Sequence, residues 1–171
     1  MKSIVIYSSL TGNTKQVAAA ITSVLPAGTP CVSMKELPSD LSSYDLVFAG
    51  FWVDKGTANK EARDVLGTLH NPHIALFATA GVPPQMAHAK ESLINAANCL
   101  PDGVEPVGTF ICQGKVDPKV IEMMYKMFPK GHSHGQSADR DARHKQAAVH
   151  PNEDDFKAAR DFAKDILTKL G

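Results

Sequence analysis

A chain of 171 residues, 43% of them hydrophobic, can build one sizeable core and is too short for two ordinary domains. Its 18 Lys and Arg balance its 18 Asp and Glu, so it lacks the basic excess of a nucleic-acid surface. It has no apolar run long enough to span a membrane, no charged-then-apolar leader, and three cysteines too scattered for a disulfide framework; the expectation is a cytoplasmic protein without membrane contact.

The first apolar run, Lys2–Tyr7, reads as a strand. It leads directly into Ser8-Ser9-Leu10-Thr11-Gly12-Asn13-Thr14 and then into a helix with Val17, Ala20, Ile21 and Val24 on one face. A hydroxyl-rich turn at a helix N-terminus gathers backbone N–H groups, Ser and Thr hydroxyls and the positive end of the helix dipole around one point. A phosphate monoester suits that point. Gly12 lets the backbone bend close to the anion, and Ser9, Thr11 and Thr14 can donate hydrogen bonds. The Gly-Lys-Ser/Thr ending of nucleoside-triphosphatase loops and the three glycines of the dinucleotide fingerprint are both missing.

Further strands are expected at Pro30–Met34, Leu46–Phe51, Ile74–Thr79 and Val107–Cys112. Their continuous apolar character fits a parallel sheet covered on both faces. Helices are expected at Asn59–Leu69, Pro84–Asn98 and Glu153–Leu170, the last opened by Asn152 and Asp155 as a near capping box. Lys35–Ser43 is only weakly helical. The alternation predicts one α/β domain over residues 1–171: a doubly wound, five-stranded parallel sheet, with the order 2-1-3-4-5 as one of two common arrangements. Ligands of such sheets sit beyond the C-terminal strand ends, where the order reverses.

Residues 113–150 interrupt the alternation as an irregular insertion. Within it, Asp117-Pro118 starts a helix running to Phe128, with Val120, Ile121, Met124, Met127 and Phe128 as an apolar stripe. Met123, Met124 and Met127 could form an adaptable docking surface, but their one-face spacing favours a helix that covers the core, and the helix could also cover the ligand site or dock a partner. His132, His134, His144 and His150 set no helix face or tight turn against a second ligand pair, and there is no CxxC, so no metal site is expected.

Two more strand ends are candidate ligand loops. After the third strand stand Phe51, Trp52, Val53, Asp54, Lys55 and Gly56. Trp52, the only tryptophan, offers a flat rigid face for stacking on a heterocycle or for capping the core. Gly56 could turn its peptide without steric cost. After the fourth strand stand Thr79, Ala80, Gly81 and Val82, small enough to let backbone N–H groups approach a ring edge. Cys112, at the end of the fifth strand beside Gln113, Gly114 and Lys115, is expected to be a buried strand thiol with no partner base.

The Ser9–Thr14 loop, the loops after strands three and four, and the β/α alternation together resemble the flavodoxin family over nearly the whole chain. The runs Asp54-Lys55-Gly56, Cys112-Gln113-Gly114-Lys115 and His150-Pro151-Asn152-Glu153-Asp154-Asp155 are similar to a subgroup from anaerobes, the BilS-like proteins encoded beside bilirubin reductases. The resemblance implies non-covalent FMN, with its phosphate on Ser9–Thr14 and its isoalloxazine between the other two loops. It implies electron transfer between redox partner proteins, a reductase and an acceptor, with no catalytic side chain. Two features depart from the family pattern. The aromatic residue usual in the third loop is missing from Ala78–Val82, and the chain is neutral where flavodoxins are acidic. Two other functions fit the same residues: an FMN-dependent NAD(P)H:quinone (acceptor) reductase of flavodoxin fold, and a phosphate-binding module without flavin.

Overall fold

A computed structural model describes all residues 1–171. Six strands form its sheet: β1 (Ser3–Tyr7), β2 (Cys31–Ser33), β3 (Leu46–Asp54), β4 (Thr57–Ala58), β5 (His73–Ala80) and β6 (Gly108–Gln113). The five parallel strands run in the order β2-β1-β3-β5-β6, which is the expected 2-1-3-4-5 arrangement. The sixth, β4, is an antiparallel addition to β3 beyond the five expected strands, too short at two residues to show as an apolar run. Six helices cover the sheet and its ends: α1 (Asn13–Thr22), α2 (Lys60–Leu66), α3 (Ala87–Ala97), α4 (Pro118–Met127), α5 (Ala138–Ala147) and α6 (Glu153–Leu170). Of the Lys35–Ser43 stretch, only Lys35 and Glu36 are helical, in a single tight turn over Met34–Glu36.

The alternation of side chains along each strand builds two cores. Ile4, Ile6, Val47, Ala49, Phe51, Ile74 and Leu76 face α2 and α3, where Ala62, Leu66 and Ala96 meet them. Val5, Leu46, Phe48, Ala75 and Phe77 face α1 and α6, where Val17, Ile21, Ala159, Ala163 and Ile166 meet them. Both faces of the central strands are thus closed by helices, and the C-terminal strand ends stay free for loops.

β3 is longer than expected because its chain continues through Trp52, Val53 and Asp54 into a two-residue turn at Lys55-Gly56. Both turn residues have positive φ, 49° and 77°, the geometry that two-residue hairpins demand and that glycine adopts without strain. The insertion at 113–150 is more regular than expected: it holds α4 and also α5, which the sequence reading missed. The α4 stripe does not cover the core, since none of its residues is buried. The α6 capping box is present, with Asn152 accepting from the Asp155 amide and the Asp155 carboxylate accepting from the Asn152 amide.

Candidate functional site

A cleft of about 290 Å³ opens at the C-terminal ends of the strands. Its walls come from four strand ends: Leu10, Thr11 and Asn13 after β1; Trp52, Val53 and Asp54 of β3; Thr79, Ala80 and Gly81 from β5; and Gly114, Lys115, Val116 and Asp117 after β6. Val120 and Met124 of α4 complete it. The volume lies near the lower end of small-molecule sites, about 300–1,000 Å³. Nine of the seventeen ligand positions expected from sequence therefore meet in one space, while Ser8, Ser9, Gly12 and Thr14 of the first loop lie outside its lining.

The loop after β1 is shaped for an anion. Gly12, with φ of 94°, turns the chain into α1 without a side-chain cap. The Ser9 hydroxyl accepts from the Gly12 amide at 3.1 Å and from the Lys15 amide at 3.4 Å, which closes the turn on itself. The amides of Thr11, Asn13 and Thr14 have no partner within the protein. Unpartnered first-turn amides at the positive end of a helix dipole attract an anionic oxygen.

Two side chains of this loop look inward. Thr14 is 1% exposed and its hydroxyl lies 3.0 Å from that of Thr79, itself buried. Ser8 donates to the Glu61 carboxylate at 2.5 Å and accepts from Asn59 Nδ2 at 2.8 Å. Glu61 and Asn59 were not identified from sequence, because they lie beyond the hairpin and reach Ser8 only through the fold. Asn59 Oδ1 is buried without a partner.

Several expected ligand positions lie outside the cleft. Phe51 is fully buried among the residues facing α2 and α3, because it alternates with Trp52 along β3 and points to the opposite face. Lys55 and Gly56 form the hairpin turn, away from the cleft, and the Gly56 carbonyl accepts from Asn95 Nδ2 at 2.8 Å. The expected free swing of that peptide is thus replaced by a bond to α3. Val82 follows the cleft-lining part of its loop without joining it.

The segment after β6 was only partly legible. Asn13 Nδ2 donates to the Lys115 carbonyl at 2.8 Å, and the Lys115 amide donates to the His150 carbonyl at 2.8 Å. A Cβ on Gly81 would stand 2.6 Å from Val116 Cγ2, so Gly81 is bare because Val116 packs onto it. Cys112 is buried, as expected for a strand thiol; burial and then the nearby Asp155 charge push it up to about 12. It stays protonated and unreactive at neutral pH.

Three of the four histidines of the insertion pack against aromatic rings, and His150 instead pairs with the Asp155 carboxylate at 2.6 Å. His132 stacks on Phe128 with centroids 4.6 Å apart, and His134 lies 5.4 Å from the same ring. No group of three or more His, Cys, Asp or Glu side chains comes together as a metal-holding cluster. No helix is long and apolar enough to cross a membrane.

Comparison with known proteins agrees with this architecture. Residues 4–164 match the family model described as a flavodoxin domain. The chain is 36% identical to the flavodoxin-like domain-containing protein BilS of Clostridioides difficile (strain CD3), over 99% of this chain and 98% of that one. It is 33% identical to BilS of Clostridium symbiosum (strain WAL-14163), over 95% and 94%. Among solved structures, a flavodoxin from the domain Archaea superposes with a TM-score of 0.53 at 14% identity, covering 99% of both chains. A flavoprotein in complex with FMN from Lactobacillus acidophilus superposes with a TM-score of 0.52 at 18% identity, over 65% of this chain and 93% of that one. With its sheet order, its Ser9–Thr14 turn and a family match that spans nearly every element, this chain belongs to the flavodoxin family.

Proposed function

We propose that this chain binds one FMN in the cleft and carries electrons between larger cytoplasmic redox enzymes, as a single domain with no catalytic side chain of its own. The observation that carries this reading is the meeting of unpartnered loop amides, the sole tryptophan and a small-residue strand end in one cleft. These residues fit the group. The Thr11, Asn13 and Thr14 amides, with the Ser9 and Thr11 hydroxyls, would hold a phosphate. Trp52 would lie against the ring. The backbone of Thr79–Gly81 would face the ring's polar edge. The structural relative from Lactobacillus acidophilus is described as a complex with FMN, which supports the same ligand here.

FMN, when bound, supplies the electron-accepting and electron-donating chemistry, so the protein need only bind, orient and tune it. The protein's part is then electrostatic and steric. Asp54, Asp117 and Lys115 are the charged residues lining the cleft, and the net charge of the chain is zero. Fewer surrounding carboxylates repel added electrons less, so a reduction potential less negative than in acidic flavodoxins is expected.

The test is anaerobic mixing of the FMN-loaded protein with NADH or NADPH, first alone and then with a separate flavodoxin reductase. Slow bleaching alone and fast bleaching with the reductase support a carrier. Rapid multiple turnover with NAD(P)H and a quinone, without a helper protein, supports the acceptor reductase instead.

A further inference from the structure

Helix α4 is fastened at its two ends and open in its middle. At its start, Asp117 caps it by accepting from the Lys119 amide at 2.8 Å, just after the point where Val116 packs onto Gly81 and Lys115 is held by Asn13. Toward its end, the Tyr125 hydroxyl donates to Asp141 of α5 at 2.9 Å and lies 3.1 Å from His144 Nδ1. Between these ties no residue of the helix is buried. Val120 and Met124 stand four residues apart, one above the other on the same side, and both face the cleft. An apolar helix side held over an open cleft gains nothing until an apolar surface meets it.

The sheet order says where that surface would lie. β5 stands between β3 and β6, so Trp52 at the end of β3 and α4 beyond the end of β6 flank the Thr79–Gly81 segment from opposite sides. That segment carries no aromatic side chain.

Resting on the FMN reading above, we propose that Val120 and Met124 cover the ring face turned away from Trp52. The ring is then held between one aromatic and one aliphatic wall, and the second wall comes from the insertion instead of the β5 loop. An unbranched thioether is suited to this task, because Met adapts to a flat surface and is polarisable. With both faces covered, a nicotinamide has no free face to stack on, and only the ring edge faces outward.

The experiment measures FMN and riboflavin binding by fluorescence titration for the native protein and four variants. Met124→Ala and Val120→Ala should each weaken FMN about tenfold, the share of a Met or Val side chain left half-covered. They should weaken riboflavin by the same factor, because the lost contact is with the ring and not with the phosphate. Met124→Leu should keep most of the affinity. Met123→Ala, whose parent side chain is 53% exposed and outside the cleft, should change neither. Thermal unfolding without FMN should match the native protein in all four, since no α4 residue is buried. Native-like FMN affinity in both alanine variants overturns the proposal and leaves the FMN reading standing. A loss confined to FMN, with riboflavin unaffected, also overturns it, since it assigns the helix to the phosphate end. If the native protein itself binds no FMN, the functional reading falls and the proposal falls with it.

Discussion

The hydroxyls of Thr14 and Thr79 lie 3.0 Å apart, both buried, and join the loop after β1 to the end of β5. These two segments are 65 residues apart in sequence. One would hold the phosphate and the other the ring edge, so this contact ties together the two segments proposed to bind the ligand's two ends.

A buried hydroxyl that loses its only partner keeps the full cost of desolvation. Thr79→Val should therefore lower stability by about 1–3 kcal/mol, measured by urea unfolding without ligand. The double variant Thr14→Val/Thr79→Val should recover most of that loss, because it leaves no orphaned group. Two losses that simply add would show that the hydroxyls do not depend on each other.

Trp52 should govern both affinity and fluorescence. Trp52→Ala is expected to weaken FMN about tenfold and to restore fluorescence to the bound flavin. Unchanged affinity with the fluorescence still quenched would mean that Trp52 only caps the sheet.

The contact between α4 and α5 carries a pH dependence. Tyr125 has one hydroxyl proton and gives it to Asp141, so His144 Nδ1 is the donor toward the Tyr125 oxygen. Burial first, and then the Arg140 charge, hold His144 below its ordinary 6.5, despite the opposing Asp141 carboxylate. A folded-state value below the unfolded one means that the unfolded chain binds the proton first as pH falls. The contribution of His144 to stability is therefore complete above about pH 6.5 and is lost as pH drops through the lower folded value. An NMR titration should place the His144 midpoint below 6.5. A midpoint at or above it would contradict the burial argument.

How far the sequence revealed the site depended on how local each part is. The Ser9–Thr14 turn was legible because strand, glycine and helix start are adjacent in the chain. The five parallel strands were legible from continuous apolar runs, and the last helix from its capping box. Phe51 is expected at the site, yet its side chain lies in the core, and strand alternation carries that signal: Val47, Ala49 and Phe51 share one side of β3, and Leu46, Phe48, Gly50 and Trp52 share the other. In sequence, Lys55 and Gly56 resemble a ligand loop because a two-residue hairpin and a free loop have the same glycine content; only the pairing of Asp54 with Thr57 distinguishes them. Helix α5 is almost wholly polar, with Ala147 its one buried residue, so no apolar period announced it. Nothing in the sequence singles out Val116, and for Val120 and Met124 it leaves open whether their helix covers the core, the ligand site or a partner. Their spacing marks an apolar helix side, and what that side covers is decided by Gly81 and Asn13, far away in sequence.

The central claim is that the turn after β1 holds a phosphate within a flavin site, and paired titrations of the native protein with FMN and riboflavin test it most directly. Each charge-assisted hydrogen bond to the phosphate is worth about 1.5–3 kcal/mol, so losing two or more should weaken riboflavin at least a hundredfold relative to FMN. The predicted result is one FMN per chain and riboflavin weaker by that margin. Equal affinity for the two, or no binding of either, would contradict the account.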